Sequence, residues 1–288
     1  MVSSILWECR FIFKHYILLS PLVPGDDIIR LMFRKNYLNL SPRFSPQNRL
    51  ACVFRKVAAR AYTMQRRAGS GAPLCVLATG GLDSSLLASL LRPCEPRLFF
   101  ARVLDRTTRE YNAWSIRRCR FLARAMGLRF FSLPITQANY RRAYVSLRCR
   151  IPLLSRDKDI AAVDVFFRSI ARRCQGSGIV VSGMGMNELC ELSAGGISSY
   201  YRTKAAVELR VHRRLARAYG LFFWAPWLDA DVVRLFSSLS LASRKNKKLL
   251  KEVIAASRLL PSSFLTQPSR HSTIPVSFYR GLEWNPQD

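Results

Sequence analysis

The feature that most constrains this chain is an alternation of short, continuously apolar runs with longer amphipathic segments between residues 74 and 182. The apolar runs fall at 74–79, 98–104, 129–133 and 178–182, and helical spacing is predicted over 83–91, 109–126 (ending at Gly127) and 159–174. Strands buried on both faces lose the in–out alternation of a half-exposed sheet, and the intervening helices supply the covers. The pattern therefore specifies an α/β fold with a parallel sheet. Residues 48–67 read as a helix with a basic outer face. Beyond residue 200 the chain reads as all-helical, over 200–219, 229–240 and 246–257, with no further strand. The expected division is an amino-terminal remnant and linker over 1–47, one nucleotide-binding domain over 48–275, and a tail over 276–288.

The first strand runs into Thr79-Gly80-Gly81-Leu82-Asp83-Ser84-Ser85 and then directly into a helix. Paired glycines let backbone N–H groups approach a ligand that a Cβ would hold off, and the helix start adds unpaired donors at the positive end of its dipole. Phosphate is the natural ligand. Thr79, Ser84 and Ser85 add hydroxyls, while Asp83 is placed either to cap the helix or to hold a Mg²⁺ bridging phosphate oxygens.

This string resembles the S-G-G-x-D-S loop of the ATP-pyrophosphatase superfamily, with Thr79 in the serine position, and its L-D-S-S-L-L continuation is similar to asparagine synthetase. Further landmarks follow in family order. Val180-Val181-Ser182-Gly183-Met184-Gly185-Met186-Asn187-Glu188-Leu189 resembles V-L-S-G-E-G-x-D-E-L. Gly220-Leu221 and Pro226-Trp227-Leu228-Asp229 resemble the ends of G-L-E-V-R-V-P-F-L-D. Lys247 to Lys251 and Leu259-Leu260-Pro261 resemble K-x-L-L-R and L-L-P. The likeness covers roughly residues 48–275, and residues 17–25 resemble the Pro-Gly turn that closes the family's amino-terminal glutaminase domain. The rest of that domain finds no match in this sequence, and since the family's nucleophile is an amino-terminal cysteine where this sequence reads Met1-Val2, glutamine hydrolysis in cis is not expected.

The resemblance implies an ATP-dependent amide-forming ligase in which a carboxylate is activated as an acyl-adenylate, pyrophosphate leaves, and an amine attacks. It implies ATP and Mg²⁺ as cofactors. The nucleotide would be held by Leu77, Thr79, Gly80, Gly81, Asp83, Ser84, Ala101 (or Arg102), Ser182 and Gly183, the metal by Asp83 and Asn187. Glu188 and Arg270 are the catalytic candidates, Arg270 standing one residue beyond the family's charge-stabilising lysine, where Ser269 is in register. The departures mostly remove acids: Asn187 replaces a magnesium-binding aspartate, Met184 replaces a glutamate, and Phe222 and Trp224 replace the Glu and Arg of E-V-R-V. An amide is a poorer ligand than a carboxylate for a hard divalent cation.

Three functions follow from the resemblance. One is a ligase acting on a small-molecule or peptide carboxylate, with a separate protein supplying the amine or presenting the precursor. Lasso-peptide cyclases are the first comparison for it. Another is a degenerate homologue that binds nucleotide without turnover. The third is a tRNA-directed ATP-pyrophosphatase, disfavoured because cysteine pairs and RNA-binding domains are missing.

Charge leaves a question open. Lys and Arg number 46 against 18 Asp and Glu, for a net +28. Such a field attracts polyanions, but an arginine bias spread over solvated helix faces gives the same sum. Arg117, Arg118, Arg120 and Arg124 read as one such face, and Phe222-Phe223-Trp224 as core. Eight dispersed cysteines without C-x-x-C pairs read as free thiols, and apolar runs broken by Arg10, Lys14, Pro21 and Pro24 do not make a membrane span, so the cytosol is the expected compartment.

Overall fold

The computed structural model describes residues 45–69, 72–148, 159–266, 274–280 and 282. Most of the expected amino-terminal remnant and the candidate Arg270 lie outside them. The chain begins with α1 (Pro46–Arg67), started by the Ser45 hydroxyl, which accepts from Asn48 N at 3.3 Å, and by Pro46 at the first helical position. There follow β1 (Leu74–Leu77), α2 (Leu82–Leu90), β2 (Arg97–Val103), α3 (Arg109–Met126), β3 (Phe130–Ile135), α4 (Gln137–Arg148), α5 (Asp159–Arg173) and β4 (Gly178–Val181). The remainder is α6 (Met186–Glu191), α7 (Ala194–Tyr200), a π-helical turn at Tyr201–Ala205, α8 (Ala206–Ala218), β5 (Leu221–Trp224), α9 (Ala230–Ser238), α10 (Leu241–Arg244), α11 (Lys248–Ser257), α12 (Ser263–Thr266) and α13 (Val276–Tyr279).

The fold is α/β: a five-stranded parallel sheet in the order β3-β2-β1-β4-β5, with a mostly helical remainder. Strand residues alternate between two cores. Leu74, Val76, Leu98, Phe100, Ile179, Val181 and Trp224 face the layer containing α1, α2, α3, α6, α9 and α11. Cys75, Phe99, Val180, Leu221 and Phe223 face the layer containing α4, α5, α8 and α13. Both faces are covered, which is why these strands read as unbroken apolar runs.

Three sequence expectations are corrected. A strand does return after residue 200: β5 pairs with β4 from Gly178↔Leu221 to Val181↔Trp224. Its four residues are too short for a period to show, and they follow a helix without an intervening polar loop. Arg118 is not on a solvated face but is buried, since the inward stripe of α3 runs Ser115, Arg118, Cys119, Leu122, Met126. The aromatic cluster divides: Phe223 and Trp224 are core, whereas Phe222 on the edge strand is 54% exposed. Among the described residues no helix is long and apolar enough to cross a membrane, and Cys52, Cys75, Cys94, Cys119, Cys174 and Cys190 are free thiols.

Candidate functional site

The chain leaves β1, builds β2 and β3 on one side, then returns to place β4 and β5 on the other. The strand order therefore reverses between β1 and β4, and open α/β sheets bind ligands at the carboxyl ends of strands at such a switch point. Two of the segments singled out from the sequence, 79–85 and 182–188, emerge there side by side. A Cβ added to Gly183 would stand 3.2 Å from Ser84 N and 3.4 Å from Asp83 Cβ, so the second loop packs directly on the first.

Within the first loop Gly80 has φ +75°, and a Cβ there would meet the Ser115 carbonyl oxygen at 3.0 Å. Both the backbone conformation and the close approach of α3 require glycine. Buried Arg118 secures the turn by donating Nε–H to the Gly80 carbonyl at 2.8 Å while its guanidinium lies over the Phe264 and Trp114 rings. Gly81 is the N-cap of α2 and provides no side-chain cap, so the first-turn N–H groups of that helix point at the crevice as anion donors. The Thr79 and Ser84 hydroxyls lie 3.0 Å apart, Ser84 Oγ accepts from Thr79 N at 3.1 Å, and Ser85 Oγ donates to the Gly81 carbonyl at 2.7 Å. Ser85 thus stiffens the turn, Ser84 is buried within it, and Thr79 is exposed at the crevice.

Asp83 has a partner that the sequence did not reveal. Lys247 Nζ donates to both carboxylate oxygens at 2.7 Å, with both side chains largely shielded. Lys247 reaches the loop because Asn246 and Lys247 adopt left-handed backbone (φ 55° and 59°) just before α11. That conformation costs a non-glycine residue on the order of 1 kcal/mol or more and is held by its surroundings. Buried Arg244 donates to the Leu189 carbonyl at 2.7 Å, and Asn246 N donates to Glu191 Oε1 at 3.0 Å, so the Lys247 turn is fastened to α6.

The other candidates are brought to the same end of the sheet. Leu77 and Ala101 are half-buried at the ends of β1 and β2, on one face. Arg102 beside them has a buried Nε without a hydrogen-bond partner. Ser182 N donates to the Trp224 carbonyl at 2.9 Å, and its hydroxyl accepts from Met184 N at 3.3 Å. Asn187 is exposed on the first turn of α6. Glu188, half-buried beside it, helps raise the Tyr200 hydroxyl pKa, an effect due first to burial. Trp224 and Asp229 are taken up structurally: the indole N–H donates to Asp229 Oδ2 at 3.1 Å, and Arg60 pairs with the same carboxylate at 2.9 Å.

A Mg²⁺ site needs oxygen ligands around one point, yet Asp83 is already engaged by an ammonium, Asn187 is a neutral amide, and Glu188 is the other carboxylate of the two loops. Among the described residues no group of three or more His, Cys, Asp or Glu could hold a metal ion. The residues present do not fit a two-carboxylate magnesium site. They fit an anion held by backbone N–H groups, hydroxyls and the Lys247 ammonium.

A larger cavity of about 1400 Å³ lies at the opposite end of the sheet, reached from Pro73, Arg97 and Arg129 where β1, β2 and β3 begin. It contains none of the loop residues.

No protein-family model matches the chain, and no curated protein matches it. Among solved structures, the NMN synthetase from Francisella tularensis aligns with a TM-score of 0.37 and 10% identity over 80% of this chain and 99% of that chain. A likeness at that level carries no argument about the site.

Proposed function

We propose that this chain is an ATP-utilising ligase of the ATP-pyrophosphatase superfamily, forming AMP and pyrophosphate as it joins a carboxylate to an amine. The observation that carries this reading is the meeting of the Thr79–Ser85 loop and the Ser182–Glu188 turn at the β1/β4 switch point. The first-turn N–H groups of α2, Thr79, Ser84 and Lys247 would hold the phosphates that leave as pyrophosphate. Leu77 and Ala101 would flank the nucleoside, with Arg102 near its phosphate side and Ser182-Gly183 closing the other wall. In adenylation a carboxylate oxygen attacks the α-phosphorus and the bond to pyrophosphate breaks, so negative charge grows on the departing oxygens. A fixed ammonium and oriented N–H donors stabilise that charge without reorganising. The amine then attacks the acyl carbon and AMP departs, the Glu188 carboxylate being the nearby base to accept the amine's proton. The carboxylate would belong to a small molecule or peptide, and the amine would come from a separate protein.

A second reading, nucleotide binding without turnover, is favoured by the Asp83–Lys247 pair and by Asn187, which together leave the site poor in acid. Pyrophosphate release from ATP with Mg²⁺ and a panel of carboxylates and amines separates the two, alongside ATP-induced thermal shift. Release supports the ligase, and a shift with a silent panel supports the binder. Neither shift nor release overturns the nucleotide reading itself.

A further inference from the structure

The net charge of +28 is not spent on the nucleotide crevice, where Lys247, Arg102 and Arg118 suffice. Six of the 46 basic residues stand on α8 and the π-helical turn before it. Arg202, Arg210, Arg213, Arg214 and Arg217 are all exposed, and their spacing at three, four and seven residues keeps them on one side of the helix. With Tyr201 they line a trough of about 760 Å³. Lys204 engages Glu208 at 3.6 Å; among the described residues Arg210, Arg213, Arg214 and Arg217 have no carboxylate within ion-pair distance, though the charge of Arg213 acts on Asp229. The apolar side of α8, Leu215 and Ala216, is buried against the sheet, and the His212 ring stacks on Phe223 at 5.1 Å. The ridge is thus fixed with its cations outward.

Its direction is informative. Only Tyr219 and Gly220 separate α8 from β5, so the two run antiparallel and the amino-terminal end of α8 lies at the carboxyl ends of the strands. Tyr200, at that end, is influenced by both Glu188 and Glu208. The arginines therefore run from the rim of the crevice down the sheet edge, roughly 22 Å from Arg202 to Arg217 at about 1.5 Å per residue. A π-helical turn interrupts the helix at the crevice end, at Tyr201–Ala205, a device frequent at functional sites.

We propose that this ridge is a docking track for a single strand of nucleic acid. Guanidinium groups present paired N–H donors that match phosphate oxygens, and Arg210, Arg213, Arg214 and Arg217, on consecutive turns of α8, meet successive phosphates of one strand, with Arg202 eight residues ahead of them. Tyr201, half-buried against the core, lines the head of the track. A membrane surface is a poorer match, because an interfacial helix inserts an apolar face, whereas this helix has buried its own and shows Val207 as its exposed aliphatic.

The test is fluorescence anisotropy with a labelled 20-nucleotide single-stranded RNA over a salt series. Arg210→Gln/Arg213→Gln/Arg217→Gln is compared with Arg117→Gln/Arg120→Gln/Arg124→Gln on α3, which removes equal charge elsewhere. The α8 triple is expected to bind at least tenfold more weakly and to lose about two units of log–log salt slope, at about 0.7 per neutralised phosphate. The α3 triple should stay within about threefold of wild type, because charge away from the track acts only through the screened long-range field. Circular dichroism checks the fold, and Arg→Lys at the same α8 positions keeps the charge with the slope expected to survive. Equal losses in both triples, or tighter binding to phosphatidylglycerol vesicles lost through the same α8 arginines, would overturn the proposal. Asp83→Ala leaves RNA binding unchanged, so failure of the track and failure of the nucleotide reading are told apart.

Discussion

The two ends of the sheet make opposite uses of the same parallel strands. At the amino-terminal end lies the cavity of about 1400 Å³, ringed by Arg66, Arg92, Arg97, Arg129 and Arg258. At the carboxyl end the crevice has glycine turns, an uncapped helix start and one shielded cation. The carboxyl-terminal ends of α1, α2, α3 and α11 line the larger cavity, and the negative ends of helix dipoles attract those arginines whether or not a ligand comes. At the crevice the positive end of α2 faces outward with no side chain to satisfy it. Volume marks where elements fail to meet; oriented donors mark where an anion is recognised.

The largest expected effects come from exchanging glycine at these two ends. Gly80→Val places a branched side chain at φ +75° against the Ser115 carbonyl, and Gly183→Val drives one into the Ser84 N–H. Each should weaken ATP binding by more than a hundredfold in calorimetric titration, because the donors move and the phosphate pocket fills. Gly127→Ala, beside the large cavity with open space at its Cβ position, should lower stability by about 1 kcal/mol through its positive φ and leave ATP affinity unaltered. Equal losses at both ends would erase the distinction between them.

Much of the carboxyl-terminal end was legible in the sequence. β1 and its loop were readable because a buried parallel strand is a continuous apolar run and a Gly-Gly pair before a helix has a backbone reason. The second motif was placed by resemblance, and the packing of Gly183 on Asp83 and Ser84 gives that placement geometry. Arg118 was misread although its signal was present: residues 115, 118, 119, 122 and 126 form one helical stripe, and the charge hid its phase. β5 and α4 escaped for other reasons. β5 spans four residues, and α4 is short and basic, without an acidic residue in its first turn. Lys247 was singled out by resemblance as the start of a K-x-L-L-R landmark, but its contact with Asp83 was not readable, since the two meet across 164 positions of sequence through a left-handed turn that no local pattern announces.

That contact gives the next comparison. Lys247→Ala should weaken ATP binding about thirtyfold, near 2 kcal/mol for a shielded charge-assisted contact. Asp83→Ala frees the ammonium for phosphate and should cost less in the absence of metal. The double variant, titrated with ATP in EDTA, reads the coupling: additive losses would mean that the two side chains do not act together. Arg258→Gln in the larger cavity should leave ATP affinity within about threefold, a change below 1 kcal/mol.

The smallest predicted effect concerns the acid that the crevice lacks. Asn187 stands on the exposed first turn of α6, just after the Gly183 turn that packs on Asp83 and Ser84. Asn187→Asp therefore places a second carboxylate near Asp83. With Lys247 neutralising the first acid, wild-type ATP affinity should change by less than about threefold on removing Mg²⁺ with EDTA. The variant has two carboxylates for one ammonium, and the surplus negative charge repels phosphates unless a divalent cation intervenes. ATP should bind Asn187→Asp more weakly than wild type in EDTA and about tenfold more tightly, about 1.4 kcal/mol, once Mg²⁺ is restored. Titration of both proteins in both buffers decides it. A strong magnesium requirement in wild type would show that Lys247 leaves Asp83 when nucleotide arrives, and an indifferent variant would place Asn187 away from the phosphates.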